Sequence, residues 1–208
     1  MFEELYRRYP ILAPCKESLE QAARLLLQCF QSGGKLLVCG NGGSSADSGH
    51  IVGELMKGFR LRRPIPPEER QRLLEWFPDC GEALANELQG ALPAISLPDQ
   101  TALFTACAND ISASMAYGQM VYGYGRKGDV LLAISTSGNS ENVVNAARIA
   151  KFRSLKIIAL TGEEPCLLDC LADATIHVPE QETARIQELH LPVYHALCAW
   201  CEEQFFSS

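Results

Sequence analysis

The sequence predicts a three-layer α/β fold, with a five-stranded parallel sheet covered by helices on both faces and long helices towards both ends. Three observations predict it. Five short apolar runs rarely alternate with polar residues, as in strands buried on both faces. Helical patterns separate these runs, which implies right-handed βαβ connections. With 208 residues and a hydrophobic fraction of 47%, the chain suffices for one domain with a full core.

The predicted strands are residues 35–39 (KLLVC), 93–97 (PAISL), 129–134 (DVLLAI), 156–160 (KIIAL) and 174–178 (ATIHV). The first helix, 18–31, is periodic and ends at Gly33 and Gly34, a C-cap signal. Residues 44–57, 99–108, 112–124, 140–152, 165–172 and 181–206 also read as helices. The segment from about 62 to 92 stands apart. It opens with three prolines, then suggests one helix from near Pro67 and a second after Pro78 and Asp79. It reads as a helical insertion in a single domain spanning 1–208, a lid or an interface arm. In such a sheet, ligands bind beyond the carboxyl ends of the strands, where the strand order reverses.

Composition narrows the function. The formal net charge is −7, which argues against nucleic acid as a partner, because phosphate-backbone binding needs a basic surface. Arg60, Arg62 and Arg63 form a local basic cluster that reads as a solvated loop, with steering of a phosphorylated substrate as the alternative. No apolar run is long enough to span a bilayer. The start, MFEELYRRYPILAP, has no signal-peptide core, so a cytoplasmic protein is expected. Nine cysteines, scattered through apolar segments, suit a reducing compartment and read as core residues. Cys198 with Cys201 and Cys166 with Cys170 form close pairs, but both pairs sit in helix-like sequence rather than in zinc-knuckle turns.

Two strand ends carry unusual loops. The first is Gly40-Asn41-Gly42-Gly43-Ser44-Ser45. Its glycines allow close backbone approach, and the helix it opens offers free N–H groups to an anion. The second is Ser135-Thr136-Ser137-Gly138-Asn139-Ser140, with more hydroxyls than a turn needs. It has no lysine, so it is not a nucleoside-triphosphate P-loop. The first loop is not a dinucleotide fingerprint either, because Ser45 stands where the third glycine is required. Hydroxyls and amides without a cation suit a sugar phosphate monoester.

His50 and Glu54 follow the first loop at i, i+4, so they share a helix face and can meet one metal or one reacting atom. On the last helix, spacing leaves open which of Gln187, Glu188, His190 and His195 face inward. Gln187 and His190 share a face most closely. Gln187 and His195 lie about 12 Å apart along the axis, within converging reach of long side chains. His177 ends a strand pattern and reads as structural.

Taken together, GNGGSSADSGHIVGEL, CANDI at 107–111, GDVLLAISTSGNSENV at 128–143, ALTG at 159–162 and ARIQELHLPVYH at 184–195 resemble the phosphoheptose isomerase family of the sugar isomerase (SIS) fold, a flavodoxin-like α/β arrangement. The resemblance spans nearly the whole chain except 62–92. It implies a metal set of His50, Glu54, Gln187 and His195, favouring His195 over His190, with one zinc ion per subunit. It implies substrate contacts at Asn41, Gly42, Gly43, Ser44, Glu54, Asn109, Asp110 and Gln187, and a phosphate loop of Ser135, Thr136, Ser137 and Ser140. It also implies a homotetramer with active sites at subunit interfaces. The expected reaction interconverts D-sedoheptulose 7-phosphate and D-glycero-D-manno-heptose 7-phosphate through an enediol, with Glu54 as base and His195 as acid.

Two rival readings share the fold. One is a non-catalytic SIS protein, such as the replication-initiator-associating protein, which lacks an acidic residue matching Glu54. The other is an SIS isomerase for a different sugar phosphate. The presence of all four residues of the metal set favours an enzyme over an adaptor.

Overall fold

Five parallel strands are ordered β2-β1-β3-β4-β5: β1 Leu36–Cys39, β2 Ala94–Ser96, β3 Val130–Ile134, β4 Lys156–Thr161 and β5 Ala174–His177. The computed structural model describes residues 2–207. The chain leaves β1 for the edge strand β2, then returns to β1's other side as β3. That reversal puts the loops after β1 and β3 next to each other, with Cys39 in register with Ala133. This is the crevice where open α/β sheets bind ligands.

Alternation along each strand divides the core in two. Leu36, Val38, Val130, Leu132, Ile158 and Leu160 face α2 (Lys16–Gln31) and α9 (Thr183–Phe206). Leu37, Cys39, Leu131, Ala133, Ile157 and Ala159 face α7 (Ala116–Tyr124) and α8 (Glu141–Phe152). The first loop launches α3 (Gly43–Met56), which buries Ile51 and Leu55 against the α2 and α9 layer.

Several boundaries differ from the sequence expectation for local reasons. The stretch 129–134 loses its first residue because the Asp129 carboxylate turns aside. It accepts hydrogen bonds from the Lys35 backbone N–H at 2.9 Å, the Lys35 ammonium at 2.6 Å and the Arg126 N–H at 2.8 Å. The helix expected over 165–172 is reduced to a 3₁₀ turn, Leu167–Cys170, because Asp169 accepts from the Cys166 N–H and fixes a short capped turn. At the N-terminus the chain forms α1 (Glu3–Arg8) and a 3₁₀ stretch, Pro10–Cys15, neither of which the sequence pattern announced. The helix expected over 99–108 is α6 (Thr101–Cys107), and it runs on into a π-helical turn, Ala108–Ser112.

Residues 67–87 carry α4 (Pro67–Trp76) and α5 (Gly81–Glu87). The segment is closed at its base by a bridge between Pro64 and Gln89 and by the Gly90 N–H donating to the Arg63 carbonyl at 2.7 Å. Arg63 corrects the reading of the basic cluster as solvated. Its side chain is fully buried and pairs with Glu202 at 2.7 Å. All nine cysteines are free, and Cys80 and Cys170 are exposed rather than in the core. No helix among the described residues is long and apolar enough to cross a membrane.

Candidate active site

The two loops are joined across the crevice. The Asn41 amide donates to the Asn142 amide oxygen and accepts from its N–H, each at 2.8 Å. Within the first loop, Gly42 adopts φ +56°, a conformation L side chains avoid. A Cβ at Gly40 would sit 2.7 Å from the Ser44 backbone oxygen, so glycine is required there. Asn41, Gly42 and Gly43 are exposed, but Ser44 is buried, so its hydroxyl is less available to a ligand than the sequence suggested. A Cβ on Gly43 would meet the Gln187 amide nitrogen at 2.8 Å. Gln187 of α9 therefore packs directly over this loop.

In the second loop the hydroxyls divide. Ser135 is buried and shares a hydrogen bond with Ser140 at 3.1 Å. Ser137 is exposed, and its hydroxyl accepts from the Asn139 N–H at 3.2 Å. Thr136 is half-buried. Gly138, at φ +62°, lies against Cys166. The N-terminus of α8 follows at once and adds its dipole and free N–H groups. Asn109 and Asp110 lie on the π-helical turn beyond β2 and α6. They are exposed, and the Asn109 amide donates to the Asp110 carboxylate at 2.7 Å.

The titratable residues form a row. His50 Nε2 stands 3.3 Å from Glu54 Oε1 and 3.4 Å from His195 Nε2. The i, i+4 spacing on α3 aligns the first pair, and α9 delivers His195 from the side. The Phe59 ring backs His195, with centroids 5.4 Å apart. Burial, with His50 and Arg60 beside it, holds the His195 imidazole below its ordinary pKa, although Glu54 pulls the other way. His195 is therefore neutral at neutral pH. A cavity of about 430 Å³ opens beside His195 between α1 and α9. Neither loop lines it.

His190, left open by spacing, faces away from this row. It is fully buried, its Nε2 lies 3.3 Å from the Thr161 carbonyl oxygen, and its Nδ1 has no hydrogen-bond partner. Burial depresses this imidazole to about 4, against about 6.5 in the unfolded chain. The unfolded state binds the proton more readily, so stability is fullest above about pH 6.5 and falls as the pH drops towards 4. The loss from this one group is about 3 kcal/mol across that window. Urea unfolding at pH 7 and pH 4.5 should show it, and the drop should shrink in His190→Met. An unchanged drop in the variant refutes the assignment.

The comparisons with known proteins follow this geometry. Residues 10–71 and 74–162 match the family model described as the SIS domain. The match runs through α4 and α5 apart from residues 72 and 73. A phosphoheptose isomerase from Shewanella denitrificans is 40% identical over 185 residues, covering 88% of this chain and 81% of that protein. The chain belongs to the phosphoheptose isomerase family. Solved members of the family superpose over nearly the whole chain. The phosphoheptose isomerase from Francisella tularensis gives a TM-score of 0.77 at 30% identity, covering 97% of this chain and 94% of that one. GmhA from Neisseria gonorrhoeae gives 0.72 at 32% identity, covering 97% and 98%.

The row of donors bears on whether a metal fits this member of the phosphoheptose isomerase family. Among the described residues no three His, Cys, Asp or Glu side chains close into a finished cage; the row is open, with His50 at its centre. Its chemistry nevertheless suits zinc. A tetrahedral ion with bonds of about 2.0–2.1 Å has donor–donor edges of about 3.3–3.4 Å, and both spacings in the row fall in that range. Glu54 Oε2 is buried without a hydrogen-bond partner, with only the Lys57 ammonium at 3.6 Å. A cation would satisfy it.

Several residues that shape the site escaped the sequence reading. Asn142 joins the loops, Phe59 backs His195, and Asp47 and Tyr194 stand behind His50. Only Asn142 had a signal, since it lies within the GNSENV stretch that identified the second loop.

Proposed function

We propose that this protein is an aldose–ketose isomerase that converts D-sedoheptulose 7-phosphate to D-glycero-D-manno-heptose 7-phosphate. The observation that carries this reading is the row formed by His50 and Glu54, on the helix launched by the first loop, with His195 brought against them by α9. A carboxylate and a neutral imidazole stand there together, as proton transfer between adjacent carbons requires. The phosphate is assigned to Thr136, Ser137, Ser140 and the α8 N-terminus, and the sugar to Asn41, Gly42, Gly43, Asn109, Asp110 and Gln187. Ser44 and Ser135, being buried, support the loops. Anchoring the phosphate places the reacting carbons without distinguishing ground from transition state.

Glu54 takes the proton from C1 of the ketose while the N–H of neutral His195 donates to O2, giving the enediol. Glu54 then returns its proton to C2, and His195 recovers one from O1, leaving the aldehyde at C1. A neutral imidazole serves as electrophile in this role, as it does in other enolising isomerases. His50, Glu54, His195 and Gln187 are proposed to hold a zinc ion that, when bound, polarises the carbonyl and hydroxyl oxygens. A Glu54 engaged as ligand is a weaker base, so the two roles compete.

We also propose a cytoplasmic homotetramer with sites at the subunit interfaces. The exposed Leu103 and Ile111 beside Asn109 and Asp110 support a neighbouring subunit there, and nine free thiols support a reducing compartment. The test is turnover of sedoheptulose 7-phosphate before chelation, after it, and after added zinc, with light scattering on the same sample. Turnover lost to chelator, restored by zinc, and a mass of four chains are expected. Turnover indifferent to chelator would remove the metal and keep the enzyme. No turnover with this sugar would overturn the substrate, and a single-chain mass would overturn the assembly.

A further inference from the structure

Behind His50 lies a polar pair that the reaction scheme does not use. Tyr194 is buried to 1% exposure, and its phenol oxygen sits between two partners. It lies 3.0 Å from His50 Nδ1 and 3.1 Å from Asp47 Oδ1. The ring stands edge-on to both His50 and His195, with centroids 5.6 and 5.0 Å away. Asp47 and His50 are one turn apart on α3, so a single helix face carries the carboxylate and the imidazole, and α9 wedges the phenol between them.

Counting protons settles the direction of each bond. A carboxylate only accepts, so the phenol proton goes to Asp47. The phenol oxygen then has only lone pairs to offer His50, so His50 Nδ1 must be the donor. In its neutral form the imidazole has one N–H, so Nε2 then carries a lone pair, and the Glu54 carboxylate oxygen 3.3 Å from it makes the space between them the seat of a cation or a donor.

We propose that Asp47 and Tyr194 are positioning residues that hold His50 as its Nδ1–H tautomer, with an unprotonated Nε2 aimed at Glu54 and His195. One consequence reaches the reaction. Two bare nitrogens 3.4 Å apart repel, so in the resting site the N–H between the rings belongs to His195, donating to His50 Nε2. The pair thus keeps the proton on the residue assigned as acid, and it leaves on His50 the lone pair that a cation or a donor requires. Histidines that bind metals are commonly oriented by a carboxylate behind them; here a phenol is inserted between the two.

The catalytic meaning rests on the isomerase reading, but the tautomer itself does not, so it is measured without substrate. The full chain, labelled with ¹⁵N and held in chelator, is examined by long-range ¹H–¹⁵N correlation. Only four histidines are present, and His50 is assigned from a His50→Gln spectrum. The expected wild-type pattern is protonated Nδ1 and bare Nε2. Tyr194→Phe removes the acceptor, so the Nε2–H form should appear. In Asp47→Asn the amide can donate to the phenol oxygen, which turns the phenol proton onto His50 Nδ1 and inverts the tautomer. Should Tyr194→Phe fail to fold, as judged by thermal melting, Asp47→Asn carries the test, because it preserves shape. Folded variants should lose about 10–100-fold in kcat, with KM little changed. A wild-type Nε2–H tautomer, or one unmoved in every folded variant, overturns the inference. The expected tautomers without any turnover would uphold the pair and fault the isomerase reading instead.

Discussion

Glu54→Gln is expected to lower kcat on the order of 10³-fold while leaving phosphate affinity within a few-fold of wild type. The size follows from the role, since a positioned general base contributes typically about 10²–10⁴-fold. The selectivity follows from the placement. Glu54 lies on α3, facing His50 at 3.3 Å, whereas the proposed phosphate contacts belong to the loop after β3 and to α8. Glutamine matches the volume of glutamate, so Ile51 and Leu55 on the buried face of α3 keep their packing. It cannot accept a proton from C1, and its amide offers only one oxygen where the carboxylate offered two. The measurements are kcat with sedoheptulose 7-phosphate and inorganic phosphate binding by calorimetry, with a melting curve to certify the fold. Turnover within tenfold of wild type would remove Glu54 as the base.

Glu202→Gln is expected to destabilise the fold by about 3–5 kcal/mol, the range for breaking a buried ion pair from one side. The Glu202 side chain is fully buried and so is that of Arg63. The carboxylate accepts from Arg63 Nε at 2.7 Å and from three successive backbone N–H groups, those of Phe59, Arg60 and Leu61. Arg63 in turn donates to the carbonyls of Leu55 and Glu54 at the end of α3, at 2.7 and 3.0 Å, and its guanidinium lies over the Phe206 ring. The amide substitution leaves a buried guanidinium without a counter-charge and, whichever oxygen it replaces, turns an N–H towards two donors. Those backbone N–H groups and Arg63 hold the Glu202 carboxyl below the usual carboxylate range, against the opposing effect of burial. The stability it contributes is therefore present above the unfolded glutamate value and is lost as pH falls through the lowered one. Urea unfolding at pH 7 measures the loss. A change below about 1 kcal/mol would show that the pair does not close this part of the fold.

The strands, their parallel arrangement and the positions of both strand-end loops could be read from the sequence, because each rests on local signals: short apolar runs, glycines at a strand end, and hydroxyls before a helix. What could not be read depends on which side chains from distant elements meet. Arg63 and Glu202 are 139 positions apart, and nothing in RLRRP separates the buried arginine from its exposed neighbour Arg62. The spacing along α9 permitted either His190 or His195 at the site. Only the packing of α9 on β4 sends His190 to the Thr161 carbonyl and His195 to His50. Tyr194 had the look of one more apolar residue on a buried helix, because the partners of a phenol are supplied by another element. The stretch 165–172 failed for the opposite reason. Its apolar pattern was helical, but one local carboxylate, Asp169, captured the backbone first.

The amide pair between Asn41 and Asn142 carries no charge. An amide neither gains nor loses a proton over the ordinary pH range, and salt has no charge in the pair to screen. Two loops anchored on different strands are thereby tied by a contact that holds no titrating group and no net charge. The tie between the loops is thus independent of the protonation events that govern the contributions of His190 and Glu202 to stability.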